Sequence, residues 1–306
     1  MVDRRIPRAT DTDGLLLGDL APGTRVGEYV VESPLATRGT GHVYQASHRL
    51  LPRRVHLKVI PAATGTQSPA IELLREACIV EALDHPGIPR IYECGMLPDR
   101  RPWIATELVE GTSVATLLLD PVVMRDAAAI VRDVAEILEH AHARGLVHRN
   151  VVPQAIVFPH PPRRFPVCLV DWSGARTRDS RTPLPMRSPT PYVAPEHAHH
   201  VDERADIYAL GVIARELLRR TDPDARPPIF SALVKTMTSA EPGARPTACS
   251  VREHAAWLVD EIERERERAD YEAAIPQPIK EERSKMMSRR VVTSETTSET
   301  AGEIDS

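Results

Sequence analysis

The 306-residue sequence predicts an α+β protein, with a β-rich unit first and a larger helical unit second. Three observations carry this prediction. Between Glu28 and Val109, short apolar runs alternate with Gly- and Pro-containing breaks, as strands do. Beyond Gly111, apolar residues recur at helical spacing over much longer stretches. Hydrophobic residues make up 42% of the chain and aromatic residues 4%, so the core is aliphatic and large enough for one big domain or two smaller ones.

Taken in order, residues 1–27 are polar with scattered Pro and Gly and read as a tail. Residues 28–35 and 41–48 read as paired strands around a Gly-containing turn, and 55–60 as a third strand. Residues 69–83 carry apolar side chains at helical spacing. Two more strands follow at 88–97 and 102–109, closing a first lobe over 28–109. The second lobe, 110–260, opens with a long amphipathic helix over 125–145 that stops at Gly145. Short strands at 155–158 and 167–171 follow, then helices over 205–220, 228–239 and 249–268. Pro276 and Pro278 end the last helix. Residues 261–306 read as an extension of that helix running into a disordered tail rich in Ser, Thr and Glu.

Composition excludes several classes. With 39 basic and 43 acidic residues the net charge is −4, which argues against a dedicated nucleic-acid binder. No apolar run approaches the roughly 20 residues of a membrane span, and Met1–Gly14 has no signal-like apolar region. Cys78, Cys94, Cys168 and Cys249 are too widely spaced for a CxxC motif and suit a reducing compartment, so the expected location is cytoplasmic. Positive charge is almost entirely Arg. Lys occurs only at 58, 235, 280 and 285, which makes Lys58, at the end of a strand, a candidate for a specific role.

Eight signals then appear in a fixed order. They are Gly39-Thr40-Gly41-His42-Val43 between two strands, Lys58, Glu76 in the first helix, His148-Arg149-Asn150, Val170-Asp171-Trp172-Ser173, Ala194-Pro195-Glu196, Asp206 and Arg245. Together they resemble the eukaryotic-type Ser/Thr protein kinases of bacteria, over about residues 28–260. The resemblance implies a bilobal protein-kinase-like fold, with ATP and Mg²⁺ as the family's cofactors and a place in phospho-signalling.

It also implies a role for each position. Gly39, Gly41, Val43, Lys58, Glu76 and the hinge residues Glu107 and Val109 fall where the family binds nucleotide, with Lys58 pairing to Glu76. Asp171 falls at a metal ligand. His148, Arg149, Glu196, Asp206 and Arg245 fall at structural anchors, and His148 reads as a packed core histidine rather than an acid or base. Arg149 has two readings, a buried structural arginine or a receiver for a phosphorylated Thr182, Ser188 or Thr190.

The chemical parts depart from the pattern together. Asn150 stands at the base position, and an amide has no basic oxygen near neutral pH. Val152 replaces the catalytic-loop Lys, and Ala155, which cannot coordinate a cation, replaces the second metal ligand. Ser188-Pro189 stands where the family has Gly-Thr. In the nucleotide pocket the glycine pattern reads Ala36, Arg38 and Gly41, and His56 takes the place of a small Ala beside the adenine. These changes imply that ATP and Mg²⁺ bind weakly or not at all. The sequence thus reads as a degenerate member, a pseudokinase acting as a binding or allosteric module. The alternatives are a weak or atypical ATP-dependent Ser/Thr kinase and a nucleotide-sensing switch without turnover.

Outside this constellation the signals are weaker. His197, His199 and His200 fit no standard zinc spacing. The charged run 260–268 reads as a solvated helix face or a docking helix. The tail sequence 293–300 has two readings. It is a solubilising segment, or its Thr293, Thr296, Thr297 and Thr300 are phosphorylated and read by a phosphothreonine-binding domain. From Gly211 to Arg245 the chain is shorter than the family usually is, which removes a helix that supports docking of protein partners.

Overall fold

A computed structural model of the chain describes residues 20–38, 41–60, 77–178, 190–198 and 202–274. The first lobe is a six-stranded antiparallel sheet in the order β1-β2-β3-β4-β6-β5. Its strands are β1 (Arg25–Val26), β2 (Tyr29–Arg38), β3 (Gly41–His48), β4 (Arg54–Val59), β5 (Ile91–Met96) and β6 (Pro102–Glu107). Alternation sets its two faces. Val55, Leu57 and Val59 of β4 point into a core with Val31, Tyr44 and Trp103, and His56 and Lys58 point the other way. The described end of a first helix, α1 (77–81), supplies Ala77, Ile79 and Val80 to the buried surface.

The expected N-terminal tail is shorter than 27 residues. β1 pairs with β2, Val26 is fully buried, and the backbone N–H of Leu20 donates to the Tyr44 hydroxyl at 3.1 Å. Gly27 makes this turn with φ +57°, and a Cβ there would lie 2.8 Å from the Trp103 ring. A strand of two residues is too short for a periodicity signal, so this part of the sequence read as polar chain.

The second lobe contains β7 (Gly111–Ser113), α2 (Val114–Leu117), α3 (Met124–Ala143), β8 (Leu146–Val147), β9 (Ile156–Pro159), β10 (Cys168–Leu169), β11 (Arg176–Thr177), α4 (Arg204–Arg220), α5 (Pro228–Met237) and α6 (Ala248–Ala274). The small strands form a three-stranded sheet, β10-β9-β7, and a pair, β11-β8. The apolar faces of α3 and α4 are almost completely buried. Only residues 221–227, with one 3-10 turn at Pro223–Ala225, separate α4 from α5, so no α-helix stands between them.

Gly211 lets α5 approach α4. A Cβ at this position would lie 2.7 Å from the Met237 Cβ. Gly211→Ala is therefore expected to lower stability by about 1–3 kcal/mol through overpacking, read from urea unfolding. Unchanged stability would mean that the two helices do not meet there.

By its internal contacts the chain forms two compact units, residues 1–256 and 257–306. The second begins within α6. Its described part is a charged helix with ion pairs Arg264–Glu261 at 2.8 Å and Arg268–Glu272 at 3.3 Å, as expected of a solvated face. No helix among the described residues is long and apolar enough to cross a membrane. Cys78, Cys94, Cys168 and Cys249 are all free thiols, and burial pushes Cys168 up to about 12, leaving it inert.

Candidate functional site

Strand pairing positions the upper wall of the cleft. Val43 of β3 faces Lys58 of β4, His56 faces Thr106 of β6, and Lys58 faces Ile104. With Leu35 and Val80 these side chains roof a cavity of about 280 Å³, whose floor is Val170, Asp171 and Trp172. Lys58 and Asp171 thus meet in one cavity, although they are far apart in sequence. His56 stands in the wall beside Lys58, two residues along the same face, and takes space within it. The volume falls just below the roughly 300–1,000 Å³ typical of small-molecule sites. Gly41 lies close against β4, where a Cβ would be 3.0 Å from the Val59 carbonyl oxygen.

At the hinge, the side chains of Glu107 and Val109 do not line the cavity. Ile104 and Thr106 alternate into the cavity, and Glu107 points elsewhere. One Glu107 carboxylate oxygen pairs with Arg163 at 2.7 Å, and the other accepts from the Arg90 backbone N–H at 3.2 Å. Glu107 lines a separate groove together with His85, Arg163 and Arg164. Val109 is buried and is not part of the cavity wall.

The lower wall is built around Asp206, in the first turn of α4. This carboxylate is 1% exposed and accepts three hydrogen bonds. They come from the His148 N–H at 2.8 Å, the Arg149 N–H at 2.7 Å and His142 Nε2 at 2.9 Å. Burial works against the charge of Asp206, but the His142 bond and the nearby histidines outweigh it and hold the carboxyl below its usual range. The loop needs this grip because Arg149 sits at φ 62°, a region that non-glycine residues seldom adopt.

His148 is completely buried, its Nδ1 accepts from the Asn150 N–H at 3.2 Å, and its ring meets Trp172 edge-on at 4.4 Å. Trp172 in turn donates from its indole nitrogen to the Leu169 carbonyl at 2.8 Å and fills the apolar slot behind the loop.

Burial lowers the His148 pKa, and it does the same to His85 and His140, whose tilted rings lie 5.0 Å apart. A histidine held below its ordinary value stays neutral in the folded protein while the unfolded chain takes up protons near pH 6.5. The unfolded state then binds more protons, so stability falls as pH drops. The expected result is a Tm that declines steadily from about pH 7.5 to about pH 5.5. A flat profile would contradict the neutral burial of these rings.

Three positions carry the altered chemistry. Ala155 is 1% exposed and contributes only backbone groups, its carbonyl accepting from the Val170 N–H and its N–H donating to the Val152 carbonyl. Val152 precedes the short turn Pro153–Ala155. Asn150 donates from Nδ2 to Asp171 Oδ2 at 2.8 Å. This bond joins the two positions that the sequence analysis treated separately. A carboxylate can only accept, so the amide nitrogen must face it. Asp171 adopts a left-handed conformation, φ 63° and ψ 61°, at the start of the turn Trp172–Gly174.

The structural anchors meet as a pair. Arg245 Nη1 and Nη2 bind Glu196 Oε1 and Oε2 at 2.6 and 2.8 Å, with the guanidinium fully buried and 4.9 Å from the Tyr208 ring. Arg149 lies near Arg176, and burial followed by the Arg176 charge lowers its pKa while Asp206 opposes this. Thr190 is exposed. Gly39, Glu76, Thr182, Ser188, His199, His200 and the tail threonines at 293, 296, 297 and 300 lie outside the described residues.

Among the described residues that line this cavity Asp171 is the one carboxylate, an amide N–H is aimed at it, and Ala155 offers a methyl group where a second ligand would stand, a poor fit to a magnesium ion. Among the described residues no cluster of three metal-ligating side chains exists.

The two-lobed architecture, with Lys58 and Asp171 lining one cavity, defines a protein-kinase-fold protein. The sequence profile of the protein kinase domain matches residues 29–227, and the chain belongs to that family. It is 32% identical to serine/threonine-protein kinase PknF of Mycobacterium tuberculosis over 250 residues, covering 73% of this chain and 52% of that protein. It is 31% identical to serine/threonine-protein kinase Pkn1 of Myxococcus xanthus over 205 residues, covering 64% of this chain and 29% of that one. The chain thus spans about half the length, or less, of these relatives. The crystal structure of the M. tuberculosis PknI kinase domain is similar, with a TM-score of 0.58 and 27% identity over 79% of this chain and 98% of that one.

Proposed function

We propose that this chain is a pseudokinase, a kinase fold kept as a binding or allosteric module in phospho-signalling. One observation carries the reading. At the position of the family's base stands an amide, and it is hydrogen-bonded to the carboxylate expected to hold metal. A positioned base contributes about 10²–10⁴-fold to a rate, and here the base and two further polar groups, at Val152 and Ala155, are absent together. The partner is a protein of the same phospho-signalling system. The tail threonines are its candidate contact once phosphorylated.

The name of the relatives, serine/threonine-protein kinase, favours the second reading, a weak ATP-dependent kinase. Lys58 and Asp171 share the cavity, and phosphoryl transfer depends mostly on positioning and electrostatics. Nucleotide sensing without turnover is the third reading, limited by His56 in the wall. Transfer from γ-labelled ATP separates the first two. The pseudokinase reading expects the same background from the native chain and from Lys58→Ala. Transfer that Lys58→Ala abolishes would overturn it.

A further inference from the structure

The geometry points to Asn150 as an internal substitute for the metal: its side-chain amide holds Asp171 in place, so the cleft keeps its shape without any divalent cation. Asp171 is a half-buried carboxylate in a left-handed backbone conformation, at the junction between β10 and the turn that seats Trp172. Such a residue needs a partner that fixes it. Ala155 provides no second ligand for a cation, and Asn150 turns its Nδ2 donor rather than its Oδ1 toward the carboxylate.

The amide supplies what a cation would otherwise supply, an electropositive group 2.8 Å from Oδ2. It is itself fixed from behind, because the Asn150 backbone N–H binds His148 Nδ1 and the loop beneath is gripped by Asp206. Gly174 completes the fit from the other side. A Cβ there would lie 3.1 Å from the His148 carbonyl oxygen and 3.4 Å from the Asn150 Cβ. Asn150 is therefore a positioning residue for Asp171 and for the Trp172 turn that follows.

A simple consequence concerns what the cleft can signal. Its lower wall is set once, at folding, and does not respond to the magnesium level. A partner docking on this loop would bind equally well with magnesium or with a chelator. The inference deepens the non-catalytic reading of the same cleft. Its test reads stability and metal response, and that reading is tested by phosphoryl transfer, so each can fail alone.

The experiment compares melting of the full 306-residue chain in EDTA, in Mg²⁺ and in Mn²⁺ with that of three variants. The native chain is expected to melt at one temperature in all three. Asn150→Asp places two carboxylates where one bond was, and should melt about 3–10 °C lower in EDTA and recover in Mg²⁺ or Mn²⁺. Asp171→Asn alone should also melt lower, because two amides replace the charge-assisted bond. The exchange Asn150→Asp with Asp171→Asn reverses donor and acceptor. Asn tolerates the left-handed conformation, so the exchange should regain most of the loss without metal.

That rescue is what a merely structural Asn150 would not show. If Asn150→Asp alone does not fold, the exchange variant still decides. A native Tm that rises with Mn²⁺ and loses the rise in Asp171→Asn would overturn the inference, as would an exchange variant no better than the single variants.

Discussion

Asp206→Ala is expected to cost about 3–5 kcal/mol, the range for removing one partner of a buried charged network. The physical reason is the number of groups left behind. Three donors, the N–H groups of His148 and Arg149 and the Nε2 of His142, converge on this one carboxylate in a site almost free of solvent. An alanine leaves all three without an acceptor, and each unmet buried donor costs about 1–3 kcal/mol. The loop they hold carries Arg149 in its unfavourable conformation, so local release should accompany the global loss. Urea unfolding followed by circular dichroism measures the cost. Asp206→Asn keeps an acceptor oxygen and should retain part of the stability. A loss below about 1 kcal/mol in the alanine variant would mean that the carboxylate does not organise the loop.

Arg245→Ala is expected to cost a similar amount, about 3–5 kcal/mol, because it strands Glu196 beside a space shaped for a guanidinium. The pair is bidentate, and Arg245 also donates from Nε to the Ser239 carbonyl at 2.8 Å, so the fork is used on three sides. Lysine cannot reproduce that planar fork, and Arg245→Lys should recover little. Removing both charges with Glu196→Gln and Arg245→Met should cost less than the sum of the single changes, because neither charge is then left alone. The double-mutant cycle read from urea unfolding tests this. Strict additivity would show that the two residues do not act as a pair.

Much of the fold was legible because its signals are local. Alternation in β3 and β4 and the helical spacing of α3 and α4 appear in the sequence nearly as the structure has them. The same alternation placed His56 and Lys58 on one face, and the cavity wall contains both. What could not be read is pairing across long separations. The Asn150–Asp171 bond spans 21 positions and the Asp206 contacts span about 60. The family resemblance implied the roles in each case, but no spacing rule gives the distance. Glu107 is a further case: its position matches the hinge, and the pairing of its carboxylate with Arg163 could not be read from spacing. The ordered stretch 20–27 was missed because pairing and a single buried valine, rather than periodicity, hold it.

On the pseudokinase reading proposed above, this cleft keeps the family's architecture without its catalytic groups. The most direct measurement is the intact mass of the purified chain, and of a generic protein substrate, after long incubation with ATP and either Mg²⁺ or Mn²⁺. Lys58→Ala serves as the control for contaminating kinases. On that reading, neither protein gains the mass of a phosphoryl group beyond what the control shows. A gain seen with the native chain and lost with Lys58→Ala would contradict it and make this an active kinase.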